Sequence, residues 1–228
     1  IVIDATTKKM LEDPIIDVKF SGISWKGNEG FFYSSYDKPE GSELSAKTDE
    51  HKLYFHRLGT PQKSDKAIFG DTPEQKRRYV GGNVTEDGRY LVISGAMSTT
   101  GNDLYLQDLT RPGLPVTTIL DNMEHEAYVI DNEGSKLYIV TDMNAPNQRI
   151  VTVDASNPEP GNWVDFIAET ENVLVPSKGG GYFFAEYMID ALSRVFQYDY
   201  QGNIVREVPL PGPGSSSSIG GKRDAEEL

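Results

Sequence analysis

The chain has 228 residues, no cysteine, a formal net charge of −13 and an aromatic content of 10%. Nucleic acid is therefore not an expected partner, since binding phosphates needs a clustered basic face, and disulfide and thiolate chemistry are excluded. No apolar run reaches the roughly 18–20 residues that span a bilayer, so no membrane partner is expected. The aromatic content is that of a folded chain, and its compartment is expected to be the cytoplasm or the periplasm.

Four glycine-containing turns divide the chain, and each lies between two runs of β-forming residues. Their sequences are KGNEG (26–30), EDG (86–88), NEG (132–134) and KGGG (178–181). Glycine and asparagine supply the positive φ angles that tight hairpins require. The strand predicted after each turn is rich in aromatic and β-branched residues, and these strands span residues 31–36, 89–94, 136–141 and 182–188.

The same order of strands returns four times along the chain. A loop and a third strand follow each hairpin, at residues 52–58, 103–109, 149–155 and 194–200, and a short run closes each unit. Aligning the third strands on Leu53, Leu104, Ile150 and Val195 gives a repeat of roughly 45–51 residues. Four short strands at this period are typical of a β-propeller blade, whereas a sandwich or a closed barrel would not explain the repetition. The predicted fold class is all-β, with about four four-stranded blades.

The repeat divides this single propeller domain into six segments. Four blades are predicted at residues 17–77, 78–122, 123–170 and 171–213. Residues 1–16 are expected to be the tail of a preceding blade and residues 214–228 the start of the next one. An open row of blades leaves apolar faces bare at its ends, so the natural protein is expected to continue in both directions.

Three consecutive aromatic residues follow the first hairpin turn. Strand alternation sends Phe31, Phe32 and Tyr33 to both faces of their sheet, and both faces of a blade are covered in a propeller. We therefore interpret this stretch as scaffold rather than as the edge of an active site. Trp25 and Trp163 are expected in the packing between blades.

Several stretches are similar to the propeller of the prolyl oligopeptidase family, the serine peptidase family to which the prolyl endopeptidases belong. These stretches are VKFSGISWKGNEGFFYSSY (18–36), KLYFHRLGT (52–60), VTEDGRYLVIS (84–94) and TDMNAPNQRIVTVD (141–154). The resemblance runs from about Ile16 to Gly221, nearly the whole chain, and is to the bacterial type.

The resemblance implies a non-catalytic role for these residues. In the family a seven-bladed propeller covers an α/β-hydrolase domain that carries the catalytic serine, aspartate and histidine, and this chain corresponds to the central blades. No G-x-S-x-G motif occurs here, so we expect no catalytic residue, no metal and no cofactor in the chain. The implied partners are a hydrolase domain of the same parent chain and short proline-containing peptides. The implied function is gating and size selection for an endopeptidase that cleaves after proline.

Two loops are candidates for contact with substrate. Residues 37–50 align with a mobile loop of the family, and their proline, glycine, serine and charged residues indicate a flexible gate; the alternative is an ordinary connection between strands. The gate candidates are Asp37, Lys38, Glu43, Lys47 and Asp49. In the second loop, residues 96–102, some family members present an arginine and a cysteine where this chain has Ala96 and Thr99. No substrate-binding residue is therefore assigned.

The remaining polar candidates favour structural roles. His51 and His56 lie an odd number of residues apart on one predicted strand and cannot share a metal, and His125 lies in an acidic turn. Asp108, Asp154 and Asp199 recur in the third strands, where we expect each to accept hydrogen bonds from a neighbouring turn. Two other functions stay open. A propeller glycosidase would need such carboxylates to converge on a tunnel, and an interaction propeller of the WD type would repeat Gly-His or Trp-Asp dipeptides, which are absent.

Overall fold

The described part of the chain is built from β-strands. The computed structural model describes residues 1–36, 50–111, 113–216 and 219–226. Over these residues it contains sixteen strands, and the helical residues there are confined to three 3-10 turns. No helix within these ranges has the length and apolar character needed to cross a membrane. The strands form four sheets of four antiparallel strands, each in chain order, so the all-β prediction with four-stranded blades is confirmed.

The chain divides into two compact units, Ile1–Glu124 and His125–Leu228. The first sheet of the first unit contains β1 (Val18–Lys26), β2 (Gly30–Tyr36), β3 (His51–Arg57) and β4 (Lys66–Phe69). The predicted turn at residues 27–29 joins β1 to β2, and residues 37–49 lie between β2 and β3.

The second sheet of this unit contains β5 (Tyr79–Val84), β6 (Tyr90–Ala96), β7 (Asp103–Asp108) and β8 (Thr117–Leu120). One apolar cluster fills the space between the two sheets, since strands of both supply its side chains. Its buried members are Phe32, Leu53, Phe69, Val80, Leu91, Ile93 and Tyr105. Sheet packing through this cluster holds the first unit together.

The second unit repeats the arrangement. Its first sheet contains β9 (Ala127–Glu133), β10 (Lys136–Thr141), β11 (Arg149–Asp154) and β12 (Val164–Ile167). Its second sheet contains β13 (Val175–Gly179), β14 (Tyr182–Ile189), β15 (Leu192–Tyr198) and β16 (Ile204–Val208). The hairpin between β13 and β14 turns on Gly180 and Gly181, whose φ angles of 56° and 78° are those of a mirror-image turn that suits glycine.

Aromatic rings fill the core of the second unit. The ring centroid of Tyr138 lies 4.8 Å from that of Phe183, 4.9 Å from that of Phe166 and 5.5 Å from that of Tyr200. Distances of 4.5–7 Å between centroids are those at which edge-to-face and offset pairs are favourable. The cluster joins β10 and β11 of one sheet to β14 of the other, so both sheets depend on it.

An ion pair between the buried Asp131 and the half-buried Arg223 attaches the last described segment, residues 219–226, to this unit. Asp131 on β9 accepts hydrogen bonds from Arg223 Nη2 at 2.7 Å and from the Tyr200 hydroxyl at 2.5 Å. Backbone bonds between Gly180 and Lys222 and between Gly221 and Lys178 add the segment to the edge at β13. This segment therefore has defined partners in both sheets.

The three consecutive aromatic residues of β2 are all buried, as the scaffold interpretation predicts. Phe32 faces the second sheet and joins the cluster between the sheets. Phe31 and Tyr33 point to the opposite face, where Val2 and Ile15 of the N-terminal segment pack against them. Both faces of this strand are covered, by different parts of the unit.

The prediction that the two tryptophans lie in the packing between sheets is wrong for the described residues. Trp25, at the end of β1, is 49% exposed and makes an edge contact with Phe31. Trp163 is half-buried, and its indole N–H donates to the Pro158 carbonyl at 2.9 Å. The reason is their position, because Trp25 lies near the end of the outer strand β1 and Trp163 lies immediately before the outer strand β12.

The two isoleucines Ile150 and Ile204 provide a matched test of the second core. Ile150 is completely buried in the aromatic cluster, whereas Ile204 on β16 is 59% exposed. We expect Ile150→Ala to lower the free energy of unfolding by about 2–5 kcal/mol, because it removes buried methyl groups and leaves a cavity. Ile204→Ala should change it by less than about 0.5 kcal/mol. Urea unfolding followed by tryptophan fluorescence measures both values, and equal losses in the two variants would contradict this account of the core.

Candidate functional site

The candidate gate residues lie outside the described residues. They are Asp37, Lys38, Glu43, Lys47 and Asp49. The structure does describe the strand ends between which residues 37–49 run. Tyr36 at the end of β2 pairs directly with His51 at the start of β3, so the segment leaves and rejoins the sheet at one point. We call the strand ends around this point the loop edge of the first unit: the end of β2, the start of β3, and the β5 start, β6 end and β7 start beside them.

His51 is a buried part of the loop edge. Its Nδ1 accepts a hydrogen bond from the Val80 backbone N–H at 2.9 Å, and its Nε2 lies 3.0 Å from the Lys19 carbonyl. Because Nδ1 accepts, the ring proton is on Nε2 and the imidazole is neutral. Burial lowers the pKa of His51, although the bond to Lys19 acts in the opposite direction. The ring therefore joins β1, β3 and β5 as a neutral, two-sided hydrogen-bonding group.

A buried ion pair lies next to His51. Arg77 Nε donates to Asp103 Oδ2 at 2.6 Å, and Asp103 is completely buried at the start of β7. Arg77 Nη2 also donates to the Tyr105 hydroxyl at 3.0 Å, and that hydroxyl donates to Asp103 Oδ2 at 3.2 Å. We refer to this group as the Arg77–Asp103 pair.

Electrostatics keep the pair charged. Burial disfavours the charged form of Arg77, but the hydrogen bond and the charge of Asp103 outweigh burial and raise the pKa of the guanidinium above its ordinary value. Burial and the Asp103 charge also raise the pKa of the Tyr105 hydroxyl to about 12. Tyr105 is therefore a neutral hydrogen-bonding partner near neutral pH and not a nucleophile.

The second candidate loop, residues 96–102, joins β6 to β7 at the same loop edge. Ala96 is half-buried at the end of β6, and Thr99 is exposed, so neither supplies a charge. Gly101 has a φ of 71°, and a Cβ atom there would lie 1.9 Å from the Met123 carbonyl oxygen. This close approach fixes the loop against residues 123–124, and glycine is required at that position.

The three recurring aspartates all bind neighbouring turns. The Oδ1 atom of Asp108 accepts from the Thr110 N–H at 2.9 Å, that of Asp154 from the Ser156 N–H at 2.8 Å and that of Asp199 from the Gln201 N–H at 2.9 Å. This confirms the predicted structural role.

Side chains of nearby turns donate to the second carboxylate oxygen of each aspartate, from the same turn for Asp108 and Asp199 and from the β9–β10 hairpin turn for Asp154. Arg111 donates to Asp108, Ser135 to Asp154 and Asn203 to Asp199. Hydrogen bonds from Asn203 hold the pKa of Asp199 below its ordinary value. Burial raises the pKa of Asp108, but bonds from Thr110 and Arg111 outweigh it and lower that pKa. Because both oxygens of each carboxylate already accept hydrogen bonds, these aspartates do not form the paired acid and base of a glycosidase.

His56 is the one residue that brings a histidine and carboxylates together in the described part of the first unit. Its Nδ1 lies 3.0 Å from the carboxylate oxygens of Asp65, and its Nε2 lies 3.1 Å from Glu12 Oε1. A catalytic triad would need a serine hydroxyl at Nε2, which is instead occupied by Glu12. The two carboxylates lie on opposite ring nitrogens and cannot converge on one metal ion.

The His56 group forms the floor of a groove of about 1100 Å³ between residues 10–17 and the first sheet. Glu12 also accepts from the Gly59 N–H at 2.8 Å, and Gln62 bonds both backbone groups of Ile16. These bonds fasten the N-terminal segment to β3 and the turn that follows it. The group is therefore a structural clasp.

His125 is the third histidine, and its Nδ1 lies 3.4 Å from Asp142 in a partly exposed pair. Within the described ranges no group of three or more histidine, aspartate or glutamate side chains is arranged to hold a metal ion. None of the three histidines is hydrogen-bonded to a serine hydroxyl in the described part of the chain, so none is placed there as the base of a serine nucleophile.

Comparisons with known proteins identify the family of the chain. The model of the family "Prolyl oligopeptidase, N-terminal beta-propeller domain" matches residues 1–228. The chain belongs to this family. It is 51% identical to the prolyl endopeptidase of Elizabethkingia miricola over 100% of this chain and 32% of that protein.

Solved structures give the same result. A structure from a study of two prolyl endopeptidases, concerned with inter-domain dynamics in catalysis and specificity, matches with a TM-score of 0.85 and 32% identity. The match covers 96% of this chain and 32% of that one. Prolyl oligopeptidase B from Galerina marginata, bound to a 25mer macrocyclization substrate, matches with a TM-score of 0.78 and 26% identity, over 92% of this chain and 30% of that one. The chain thus spans about a third of the length of the relatives it matches.

The neutral state of His51 has a measurable consequence. An unfolded histidine titrates near pH 6.5, whereas burial holds the folded ring neutral to lower pH. Below about pH 6.5 the unfolded state therefore binds more protons than the folded state. The contribution of His51 to the free energy of unfolding then falls by at most about 1.4 kcal/mol for each unit decrease in pH. We expect urea midpoints of the native chain to decrease from pH 7.5 to pH 5.

His51→Gln isolates this effect, because glutamine offers an acceptor and a donor without titrating and the other two histidines are unchanged. The variant should lose less stability than the native chain between the two pH values. The same decrease in both proteins would show that His51 does not contribute.

Proposed function

We propose that this chain is the propeller portion of a prolyl endopeptidase, a serine peptidase that cleaves short peptides after proline. The observation that carries the proposal is the 51% identity to a prolyl endopeptidase along all 228 residues. The absence of a G-x-S-x-G motif and the structural use of the described histidines and aspartates support placing the chemistry in another part of the protein. That part, an α/β-hydrolase domain of the same parent chain, would supply a serine nucleophile, a histidine base and an oxyanion hole.

The role we propose for the chain itself is to limit access by peptide length. Residues 37–49 and 96–102 connect strands at one edge of the first unit, where the backbones of His51 and Arg77 meet. Loops on a rigid scaffold are the usual place for such a gate, because sheet packing fixes their ends while their middle is free to vary.

The alternatives lack a specific supporting observation. A propeller glycosidase needs free paired carboxylates, and Asp108, Asp154 and Asp199 are each bound to a backbone N–H. An interaction propeller of the WD type would show its dipeptides at the repeat period, and they are absent from the sequence.

Shortening the candidate gate tests the length-selection role. In the full-length protein, residues 39–47 are replaced by Gly-Ser-Gly, and kcat/KM is measured for a short Gly-Pro reporter and for a proline-containing peptide of about 30 residues. We expect the ratio of long to short kcat/KM to rise about tenfold, with the short reporter changed by less than about twofold, because a gate controls entry and not the chemical step.

The control replaces Gly113–Pro115 by Gly-Ser-Gly. These residues are exposed and join the end of β7 to the start of β8, at the opposite end of the strands from the loop edge. The control should leave the ratio unchanged. If the shortened gate leaves the ratio unchanged as well, or lowers both rates equally, the length-selection role of residues 37–49 is wrong.

The parent size tests the other half of the proposal. A chain of 25.3 kDa that spans 32% of its relative implies a parent of about 75–80 kDa. Intact mass of the protein isolated from its source should fall in this range. A mass near 25 kDa with prolyl endopeptidase activity would contradict the assignment of chemistry to another domain.

A further inference from the structure

The structural clasp places one imidazole between two carboxylates. We call the group of Glu12, His56 and Asp65 the His56 clasp. The His56 side chain is 1% exposed, and those of Asp65 and Glu12 are 3% and 9% exposed. The Nδ1 atom faces both carboxylate oxygens of Asp65, and Nε2 faces Oε1 of Glu12. Each ring nitrogen therefore meets a group that, when ionised, accepts hydrogen bonds and cannot donate them.

The number of protons on the ring decides whether both contacts are hydrogen bonds. A neutral imidazole has one N–H, whereas an imidazolium has two. The imidazolium donates to both carboxylates, and its charge offsets one of the two buried negative charges. With a neutral ring, a nitrogen lone pair faces a carboxylate oxygen, and the two buried carboxylates have no cation between them. That arrangement is costly, because buried charges need a partner of opposite sign.

No other described group beside the ring ordinarily titrates near neutral pH. The Tyr33 hydroxyl of β2 donates to Asp65 Oδ2 at 2.9 Å. Burial raises the pKa of this hydroxyl and Asp65 raises it further, although the bond from Gln62 acts in the opposite direction, so Tyr33 stays a neutral donor. Free carboxylic acids titrate near pH 4 and free phenols and amines near pH 10. The other ionisable side chains among the described residues that line the groove are Asp13, Asp17, Tyr36, Tyr54 and Lys63.

The two carboxylates differ in how firmly the rest of the unit holds them. Asp65 directly precedes β4, accepts from Tyr33 as well as from the ring, and donates its backbone N–H to the Gln62 carbonyl at 2.9 Å. Glu12 comes from residues 10–17, which lie outside the four-stranded sheet, and its Oε2 accepts from the Gly59 N–H. A neutral ring therefore keeps its proton on Nδ1 for Asp65 and turns the Nε2 lone pair toward Glu12.

We propose that the His56 clasp is a proton-dependent latch on the N-terminal segment. The imidazolium holds Glu12, and loss of the Nε2 proton releases Glu12 and detaches residues 10–14 from the groove. Residue Ile16 stays attached, because Gln62 bonds both of its backbone groups independently of the ring. The inference goes beyond the proposed function and does not rest on it, since it involves no contact with a peptide.

The Gly59 amide reports the state of the latch directly, because its N–H donates to Glu12 Oε2. In the full-length protein, hydrogen–deuterium exchange of single amides is measured by mass spectrometry at about pH 6 and pH 8.5, and each rate is divided by the intrinsic rate at that pH. We expect the protection of the Gly59 amide to fall about tenfold or more at the higher pH. Opening that releases one proton can increase by at most tenfold per pH unit. The Ile16 amide, which donates to Gln62 Oε1 at 3.0 Å, is the internal reference and should change by less than about twofold.

Glu12→Gln removes the pH response without removing the contact. The glutamine amide donates to the Nε2 lone pair of a neutral ring, while its oxygen still accepts from Gly59. The variant should therefore protect the Gly59 amide equally at both pH values, and thermal unfolding verifies that it is folded. Glu29→Gln is the matched control, because Glu29 forms an exposed ion pair with Lys26 in the same unit. It should show the native decrease.

Three results would overturn the latch. Constant protection of the Gly59 amide in the native protein would show a static contact. An equal decrease in the native protein and in Glu12→Gln would place the responsible proton elsewhere. An equal decrease at Gly59 and Ile16 would show that a larger part of the unit opens.

The latch and His51 respond to pH in opposite directions. The closed clasp holds a proton that the open one releases, so a falling pH favours the closed form, whereas it destabilises the fold through His51. The native chain and His51→Gln both carry the clasp, so their comparison still isolates His51. Peptidase activity is not measured in the exchange experiment, so its outcome is independent of the proposed function.

Discussion

Face-to-face packing of two four-stranded sheets is the interaction on which each unit depends. A strand with large apolar residues on both faces, such as β2 with Phe31, Phe32 and Tyr33, needs cover on both sides. The second sheet covers one face and the N-terminal segment covers the other. This packing buries the middle of the central strands in both units.

The strand ends are also where the polar chemistry of the molecule is concentrated. The three recurrent aspartates, the His56 clasp and the Arg77–Asp103 pair all lie at or next to such ends. Each binds a turn or a strand start through hydrogen bonds. For the buried members Asp103, Asp108 and His56 these partners are needed, because a buried charge that is left unpaired is costly. Because these charged side chains bind turns and strand starts, the loops between the strands have fixed ends. This is consistent with the role proposed for the domain, which is to control access to an active site in another part of the protein.

The sequence was informative where local rules decide the structure. Glycine turns and aromatic strands predicted all four hairpins, and the recurring aspartates were correctly assigned to turns because the interaction spans only two residues. The tryptophans were predicted wrongly, since alternation places a side chain on a face but does not reveal whether that face is covered. Asp103 could have been noticed as a charge at the start of an apolar strand. Its partner Arg77 is 26 residues away, and no local pattern identifies a partner at that distance.

We expect the catalytic serine of the parent protein to lie outside these 228 residues. The most direct measurement is to label the native full-length protein with a fluorophosphonate that reacts with activated serines, and then to map the labelled peptide by mass spectrometry. Complete inactivation with one labelled serine beyond this segment is the expected result. A label on any serine within residues 1–228 that accompanies the loss of activity would contradict it.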